Sequence, residues 1–376
     1  MKVADISLVL LAAGESNRLN LPTKKQWLYI NDIPLWKFVA NRFQNFYPFK
    51  KIIIVGNKKE LLLMQKFDSN YIYVAGGDSR QESLKNALEQ VSSKYVMVSD
   101  VARACIPKKI IKKLIKKRAK KSCVTPAITV SDTSYFNYEP IDRQKLLQVQ
   151  TPQLSHTKTL KKILNTAQEF TDESSAFYKA GYNVIFIKGS YKSHKITYKK
   201  DLFKLSCLKA PQKLTKVGFG LDIHQFQEEK DMYLAGVKLD VPFGFKAHSD
   251  GDVAIHAIID ALLGASALGD IGELFPDTDE EFKNIDSKKL LKEALNLVYS
   301  VGYEVVHIDI TILAEIPKIA PYKKQMQKTL AEVMNILESQ INIKATRGEK
   351  LGFIGRKEGV SVQAVATLKY YGWDEK

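Results

Sequence analysis

Through the first half of the chain, short apolar runs rich in β-branched residues alternate with stretches of helical period. Residues 6–12, 52–55, 71–74, 95–99 and 123–130 read as strands, and 83–91 and 110–119 read as helices. This alternation predicts an α/β unit, a doubly wound and mostly parallel sheet with helices on both faces. Ligands of such sheets collect at the carboxyl ends of the strands.

The periodicity lapses at 207–215, CLKAPQKLT, and resumes with a strand at Val217. Helices at 252–267, 287–301 and 323–337, with strands at 305–313 and 360–368, predict a second, compact α+β or α/β domain. The boundaries drawn from this are a first domain at 1–208, a linker at 209–215 and a second domain at 216–376. Length agrees, because 376 residues exceed the roughly 250 to 300 at which a single core stops growing.

Charge separates the halves further. Residues 1–210 hold 37 Lys and Arg against 16 Asp and Glu, a net +21, while 211–376 hold 20 against 25, a net −5. A basic half implies an anionic partner. Its densest run, PKKIIKKLIKKRAKK at 107–121, carries an apolar stripe of Ile110, Ile111, Leu114 and Ile115, which makes it a surface helix with a solvated basic face. No aromatics interleave with those lysines, which argues against nucleic acid. Cys105, Cys123 and Cys207 form no C-x-x-C pair, so free thiols and a reducing cytoplasm are expected. Asp5 interrupts the short N-terminal apolar run, against a signal peptide, and no run approaches the ~20 residues of a membrane span.

The densest chemistry lies at 246–273, KAHSDGDVAIHAIIDALLGASALGDIGE. Ser249 with Asp252 three positions on reads as a capping-box variant, after which Asp252, His256 and Asp260 share a helix face. Upstream, Asp222 and His224 alternate with Leu221 and Ile223 and point to one side of a strand. One carboxylate and two imidazoles suit a catalytic zinc with its fourth position open. Each pair alone also fits a strand edge or a surface ion pair; the many small neighbours, which let backbones approach closely, favour the ligand site.

Polar residues also follow three strands of the first half: Ala13-Gly14 with Arg18 and Lys25, then Gly77-Asp78-Ser79-Arg80, then Asp100 with Arg103. A glycine turn and fixed cations suit a triphosphate with Mg²⁺ in one crevice. The spacing matches neither the dinucleotide nor the P-loop pattern.

In order, Leu11-Ala-Ala-Gly14, Arg18, Lys25-Gln26, Gly76-Gly-Asp-Ser-Arg80, Ser83, Asp100-Val-Ala-Arg103, Asp132-Thr133, Gln150-Thr-Pro-Gln153, Thr171-Asp-Glu173 and Lys195-Ile-Thr197 resemble 2-C-methyl-D-erythritol 4-phosphate cytidylyltransferases. The resemblance implies a nucleotidyltransferase-like fold of Rossmann type and CMP transfer from CTP to methylerythritol phosphate, with Mg²⁺. It implies that Arg18 and Lys25 stabilise the α-phosphate, and that Ala13, Gly14, Gly77, Asp78, Arg80, Ser83, Asp100 and Arg103 bind nucleotide, Asp100 with Mg²⁺. Thr133, Lys195 and Arg143, the last from a partner subunit, would hold the substrate phosphate. Two positions depart from the family pattern: Ser16 replaces a usual glycine, and Lys24 a usual proline, adding a positive charge.

The acidic half resembles 2-C-methyl-D-erythritol 2,4-cyclodiphosphate synthases through Gly220-Leu-Asp222-Ile-His224, Ala247-His-Ser-Asp-Gly-Asp252, His256, Gly269-Asp-Ile-Gly272, Phe275-Pro-Asp-Thr-Asp279, Lys350-Leu-Gly-Phe353 and Gly355-Arg356. That resemblance implies zinc on Asp222, His224 and His256, Mg²⁺ on Glu349, and catalysis or phosphate contact by His248. Ser249, Asp270 and Arg356 would bind substrate, Lys318 and Thr346 the nucleotide. Asp260 would orient His256, and Asp252 would be structural. At Arg347-Gly348 the chain departs from a threonine-rich turn, and Arg347 is a candidate phosphate contact.

The expectation is therefore a bifunctional enzyme of the non-mevalonate isoprenoid pathway. Its partners would be small molecules, CTP and methylerythritol phosphates, with no nucleic acid and no membrane. A homo-oligomer is implied, through trimeric cyclase and dimeric transferase contacts, up to a hexamer. Two readings compete: a zinc cyclase carrying a non-catalytic basic module, and a generic zinc phosphohydrolase.

Overall fold

The computed structural model of the chain describes residues 5–166, 168–247, 249–276 and 285–375. It divides into two units, the first running to Pro211 and taking in Trp373 near the chain end, the second spanning Gln212–Gly372.

In the first unit the strand Ile6–Leu11 lies between Tyr95–Asp100 and Ile52–Gly56, parallel to both, and Ile72–Ala75 extends the sheet. Leu8, Val9 and Leu10 are fully buried, so this strand is covered on both faces and its sequence is apolar except at the buried Ser7. Gln153–His156 enters antiparallel beside Tyr95–Asp100, followed by Ser122–Thr129 and, parallel to that strand, Asn183–Lys188. The helix Arg80–Glu89 starts where Ser79 Oγ accepts the Glu82 N–H. Its Leu84, Ala87 and Leu88 pack with Val9, Ile53, Val96 and Val98, and the lysine-rich helix Lys108–Lys117 buries Ile110, Ile111 and Leu114.

One expectation fails. Cys105 and Cys207 are joined in a disulfide, with Cα atoms 5.7 Å apart, and Cys123 is the buried free thiol. The partners stand 102 residues apart, so no local spacing announces them.

The second unit is built on a sheet in the order Phe243–Phe245, Thr215–Glu228, Gly359–Tyr370, Tyr303–Leu313, Ile341–Thr346, antiparallel except for the last pair. The helix Val253–Ser266 is apolar nearly all round and lies against Thr215–Glu228. Gly218 and Gly220 permit that approach, since a Cβ on either would sit 2.0 Å from a helix carbonyl oxygen, Ala261 O or Ala257 O. On the other face of the same strand Val217, Phe219, Leu221 and Ile223 are 47 to 65% exposed. Among the described residues, no helix is long and apolar enough to cross a membrane.

Candidate active sites

The carboxyl ends of the first unit's strands open into a crevice of about 790 Å³. Ala13, Gly14, Arg18, Lys25, Gly77, Asp78, Arg80, Ser83, Asp100 and Lys195 all line it. Ser83 Oγ accepts the Gly77 N–H at 3.1 Å, and Glu82 accepts that of Asp78 at 2.7 Å, so the helix start shapes the glycine loop. Asp100 Oδ2 accepts from Lys195 Nζ at 2.8 Å and Oδ1 from Arg80 at 3.4 Å, while Arg80 also meets Glu173 Oε1 at 2.8 Å. Burial would raise the Asp100 carboxyl, but Arg80 and Lys195 hold it below its usual range. Burial pushes the Lys25 ammonium down from 10.5 to about 8, with Lys195 and Arg18 adding repulsion.

Three first-half residues lie elsewhere. Arg103 does not line the crevice: its guanidinium donates to Ser193 O at 2.7 Å and Val149 O at 3.5 Å. With Ile196 N–H donating to Ala102 O at 2.9 Å, it holds the segment that delivers Lys195. Thr133 and Arg143 are exposed around the hairpin Ser134–Phe136/Glu139–Ile141, and Arg143 donates to Ser131 O. The motif Gln150-Thr-Pro-Gln153 works as scaffold, with Thr151 Oγ1 accepting the Asp100 N–H at 3.2 Å and Gln153 bridging Ser174 and Asp172. The two departures also find partners: Ser16 takes the left-handed conformation, φ 63°, and its hydroxyl accepts the Lys25 N–H at 3.0 Å. Lys24 adds no free charge, since Glu15 and Glu60 each meet its Nζ at 2.8 Å.

In the second unit Asp222, His224 and His256 converge, with one ligand atom of each within 4.8 Å of the others. Asp222 Oδ2 lies 3.1 Å from both His224 Nε2 and His256 Nδ1. The tautomers follow from the outer partners. His224 Nδ1 faces the carbonyl of Gly251 at 2.8 Å and must donate, so Nε2 is the nitrogen a cation would take. Ser287 Oγ donates to Asp250, so it accepts from His256 Nε2 at 3.1 Å, and Nδ1 is the nitrogen a cation would take. Burial would raise the Asp222 carboxyl, yet hydrogen bonds with both imidazoles hold it well below the carboxylate range. The donor set, one carboxylate oxygen and two imidazole nitrogens aimed at one point, is that of a divalent-metal site.

Two details of the helix differ from expectation. Asp252, not Ser249, is the N-cap; fully buried, it accepts from Ala254 and Ile255 and from Ala235 and Gly236. Ser249 Oγ instead accepts the Gly251 N–H at 3.1 Å. Asp260 accepts the Ile271 N–H at 2.8 Å, so orientation of His256 falls to Ser287, 31 residues on and beyond the reach of helical periodicity, with Asp250 behind it. Asp270 caps the short helix Ile271–Leu274. Lys318, Thr346, Arg347, Glu349 and Arg356 are exposed and, among the described residues, make no hydrogen bond to the triad; Arg356 pairs with Glu358 at 2.8 Å. His248 and residues 277–279 lie outside the described residues.

A cation-lined crevice on a doubly wound sheet and a separate carboxylate–imidazole cluster define an enzyme with two sites for phosphate chemistry. The chain matches the family model of 2-C-methyl-D-erythritol 4-phosphate cytidylyltransferase, IspD, over residues 6–208 and that of the YgbB family over 215–369. Bifunctional IspD/IspF enzymes of Sulfurovum sp. (strain NBC37-1) and Aliarcobacter butzleri (strain RM4018) are 51% and 49% identical to it, over 99% of this chain and 100% of each relative. The structure of the bifunctional IspDF from Campylobacter jejuni superposes with a TM-score of 0.92 at 46% identity, covering 98% of this chain and 100% of that one. The chain belongs to the bifunctional IspD/IspF enzymes, with a cytidylyltransferase and a cyclodiphosphate synthase of the non-mevalonate isoprenoid pathway on one polypeptide. The alternative of a non-catalytic basic module is not supported, because the transferase family model spans that half.

Proposed function

We propose the following division of labour between the residues of the two sites. In the first, CTP lies along the crevice with its phosphates at Ala13 and Gly14 and its base facing Asp78 and Ser83. Arg18 and Lys25 neutralise the α-phosphate while an oxygen of the acceptor's 4-phosphate forms the new P–O bond and pyrophosphate departs. Lys195, Thr133 and a second copy's Arg143 hold the acceptor. Mg²⁺ is assigned to the nucleotide's phosphates rather than to a preformed protein site, since both Asp100 oxygens already accept from cations.

In the second, Asp222, His224 and His256 hold zinc, which supplies Lewis-acid polarisation of a phosphate oxygen when bound. The chain's own residues position the substrate. Ser249, His248 and Arg356 take phosphate oxygens, Asp270 the methylerythritol hydroxyls, and Lys318 and Thr346 the cytidine portion. Glu349 is assigned Mg²⁺ shared with the diphosphate. The 2-phosphate, already an anion, closes on the β-phosphorus and CMP leaves, so orientation matters more than a base.

The exposed stripe Val217, Phe219, Leu221 and Ile223 supports a trimer of the second unit. Tyr135, Phe136 and Tyr138, 64 to 98% exposed on the hairpin, support pairing of the first. Together they support a hexamer, in which Lys318 and Glu349 of one copy serve the triad of another.

The observation that carries the assignment is the convergence of three metal-ligand atoms within 4.8 Å beside a fully capped helix. Pyrophosphate release from CTP, Mg²⁺ and methylerythritol phosphate tests the first site. Lys25→Ala should lower it by about 10², the scale of one preorganised charge contact, while CMP release by the cyclase and bound zinc stay unchanged. Full transfer activity in that variant would remove Lys25 from the mechanism.

A further inference from the structure

The turn that carries Lys25 is held by a carboxylate that no step of the transfer uses. Glu60 is 2% exposed, and both its oxygens are occupied. Oε1 accepts from Lys24 Nζ at 2.8 Å; Oε2 accepts from Trp27 Nε1 at 2.7 Å and Gln26 Nε2 at 3.2 Å. Three of the four residues from Lys24 to Trp27 therefore donate to one buried group, and Lys25, the one that does not, lines the crevice. A second tie runs to the glycine loop. Lys24 Nζ also meets Glu15 Oε2 at 2.8 Å, Glu15 Oε1 accepts from Asn57 at 2.9 Å, and Ser16 Oγ accepts the Lys25 N–H at 3.0 Å. Buried ion pairs contribute little to net stability, because desolvation offsets the attraction; their best-attested use is to specify one arrangement.

We propose that Glu60 is a positioning residue for cytidylyl transfer: paired with Lys24, it locks the turn that aims Lys25 at the triphosphate, and Lys24 itself binds no phosphate. This rests on the reading of Lys25 given above. With carboxylates on either side of one ammonium, the Glu15–Lys24–Glu60 group is net negative, the wrong sign for a phosphate ligand. Its effect on the reaction runs through geometry. A displacement of about 1 Å remote from the reacting atoms can cost roughly 10² in rate.

The test uses the full chain and compares steady-state transfer with cyclase turnover in the same samples. Glu60→Gln should lower kcat of transfer by roughly 10- to 100-fold with KM for CTP within about threefold, leaving cyclase turnover unchanged. Lys24→Met, at a side chain 21% exposed, removes the same pair from the other end and should do likewise; it carries the test if Glu60→Gln does not fold. Lys24 has φ −66° and ψ 142°, values proline adopts. Lys24→Pro added to Glu60→Gln should therefore fix the turn without charge and recover about half or more of the lost turnover. Unchanged kcat in both single variants overturns the proposal. So does a raised KM for CTP at constant kcat, which would make Lys24 a phosphate ligand, or a loss that proline does not relieve, which would assign it to packing. If Lys25→Ala in parallel retains full turnover, the reading of Lys25 fails instead.

Discussion

The two sites meet phosphate with opposite charge. The crevice of the first unit supplies its own cations, Arg18, Lys25 and Lys195, one of them desolvated enough to lie near neutrality. The triad of the second supplies a carboxylate and two imidazoles and needs a cation brought to it. The supports differ correspondingly. Around Lys25 and Asp100 the chain uses ion pairs, Lys24 with Glu60, Arg80 with Glu173 and Lys195 with Asp100. Around the triad it uses neutral hydrogen bonds, Gly251 O to His224 and Ser287 Oγ to His256, which set tautomers rather than charge. Fixed cations are aimed through salt bridges; metal ligands are aimed by fixing which nitrogen keeps its proton.

The sharpest way to break this contrast is to delete one ligand. His256→Ala should lose bound zinc and lower cyclase turnover by roughly 10³, the kinetic equivalent of about 4 kcal/mol, with transfer unaffected. Metal analysis beside both assays decides it, and retention of zinc would sink the assignment. A smaller effect is expected one bond further out. Asp250→Asn removes the carboxylate that Ser287 donates to, so His256 loses its enforced tautomer, and zinc affinity measured against a chelator should weaken by about 10- to 100-fold. Affinity within twofold of the parent would show that Ser287 orients the ring without Asp250.

Much of this was legible in sequence where one element carries the signal. Asp222 and His224 alternate on a strand, and His256 follows within one helix, so the pattern of two elements offers the trio, which the family resemblance then singles out. The glycine turns of the first unit stand at strand ends that β-branched runs mark clearly. What stayed hidden lies between elements distant in sequence. Ser287 reaches His256 from another helix start, Glu60 reaches Lys24 across 36 residues, and Cys105 finds Cys207 across 102. Arg103 sits among crevice residues in sequence, yet its side chain turns to Ser193 O and Val149 O and ties down the segment that leads to Lys195. Asp252 took the cap from Ser249 because its carboxylate satisfies two helix N–H groups and two more from Ala235 and Gly236.

The smallest and most discriminating effect is a pH limb. Lys25 titrates near 8 in the folded chain against 10.5 when solvated, burial being the main cause and Lys195 and Arg18 the next. Below that value it is the ammonium of the proposed triphosphate contact; above it, kcat/KM for CTP should fall about tenfold per pH unit, since this ratio reports the free enzyme. Unfolding through this group has the opposite sign. Between about 8 and 10.5 the unfolded chain holds a proton that the folded one has released, so the first unit gains stability as pH rises through that window. A loss of transfer there is therefore not melting driven by Lys25. Lys25→Arg, whose guanidinium stays charged, should remove the limb while lowering the plateau, because a planar fork cannot reproduce a point ammonium. The cyclase needs deprotonated ligands and should fail on the acid side instead. Opposite limbs in one polypeptide would confirm that one site carries its cations and the other recruits them; a shared alkaline limb that survives Lys25→Arg would place its origin outside Lys25.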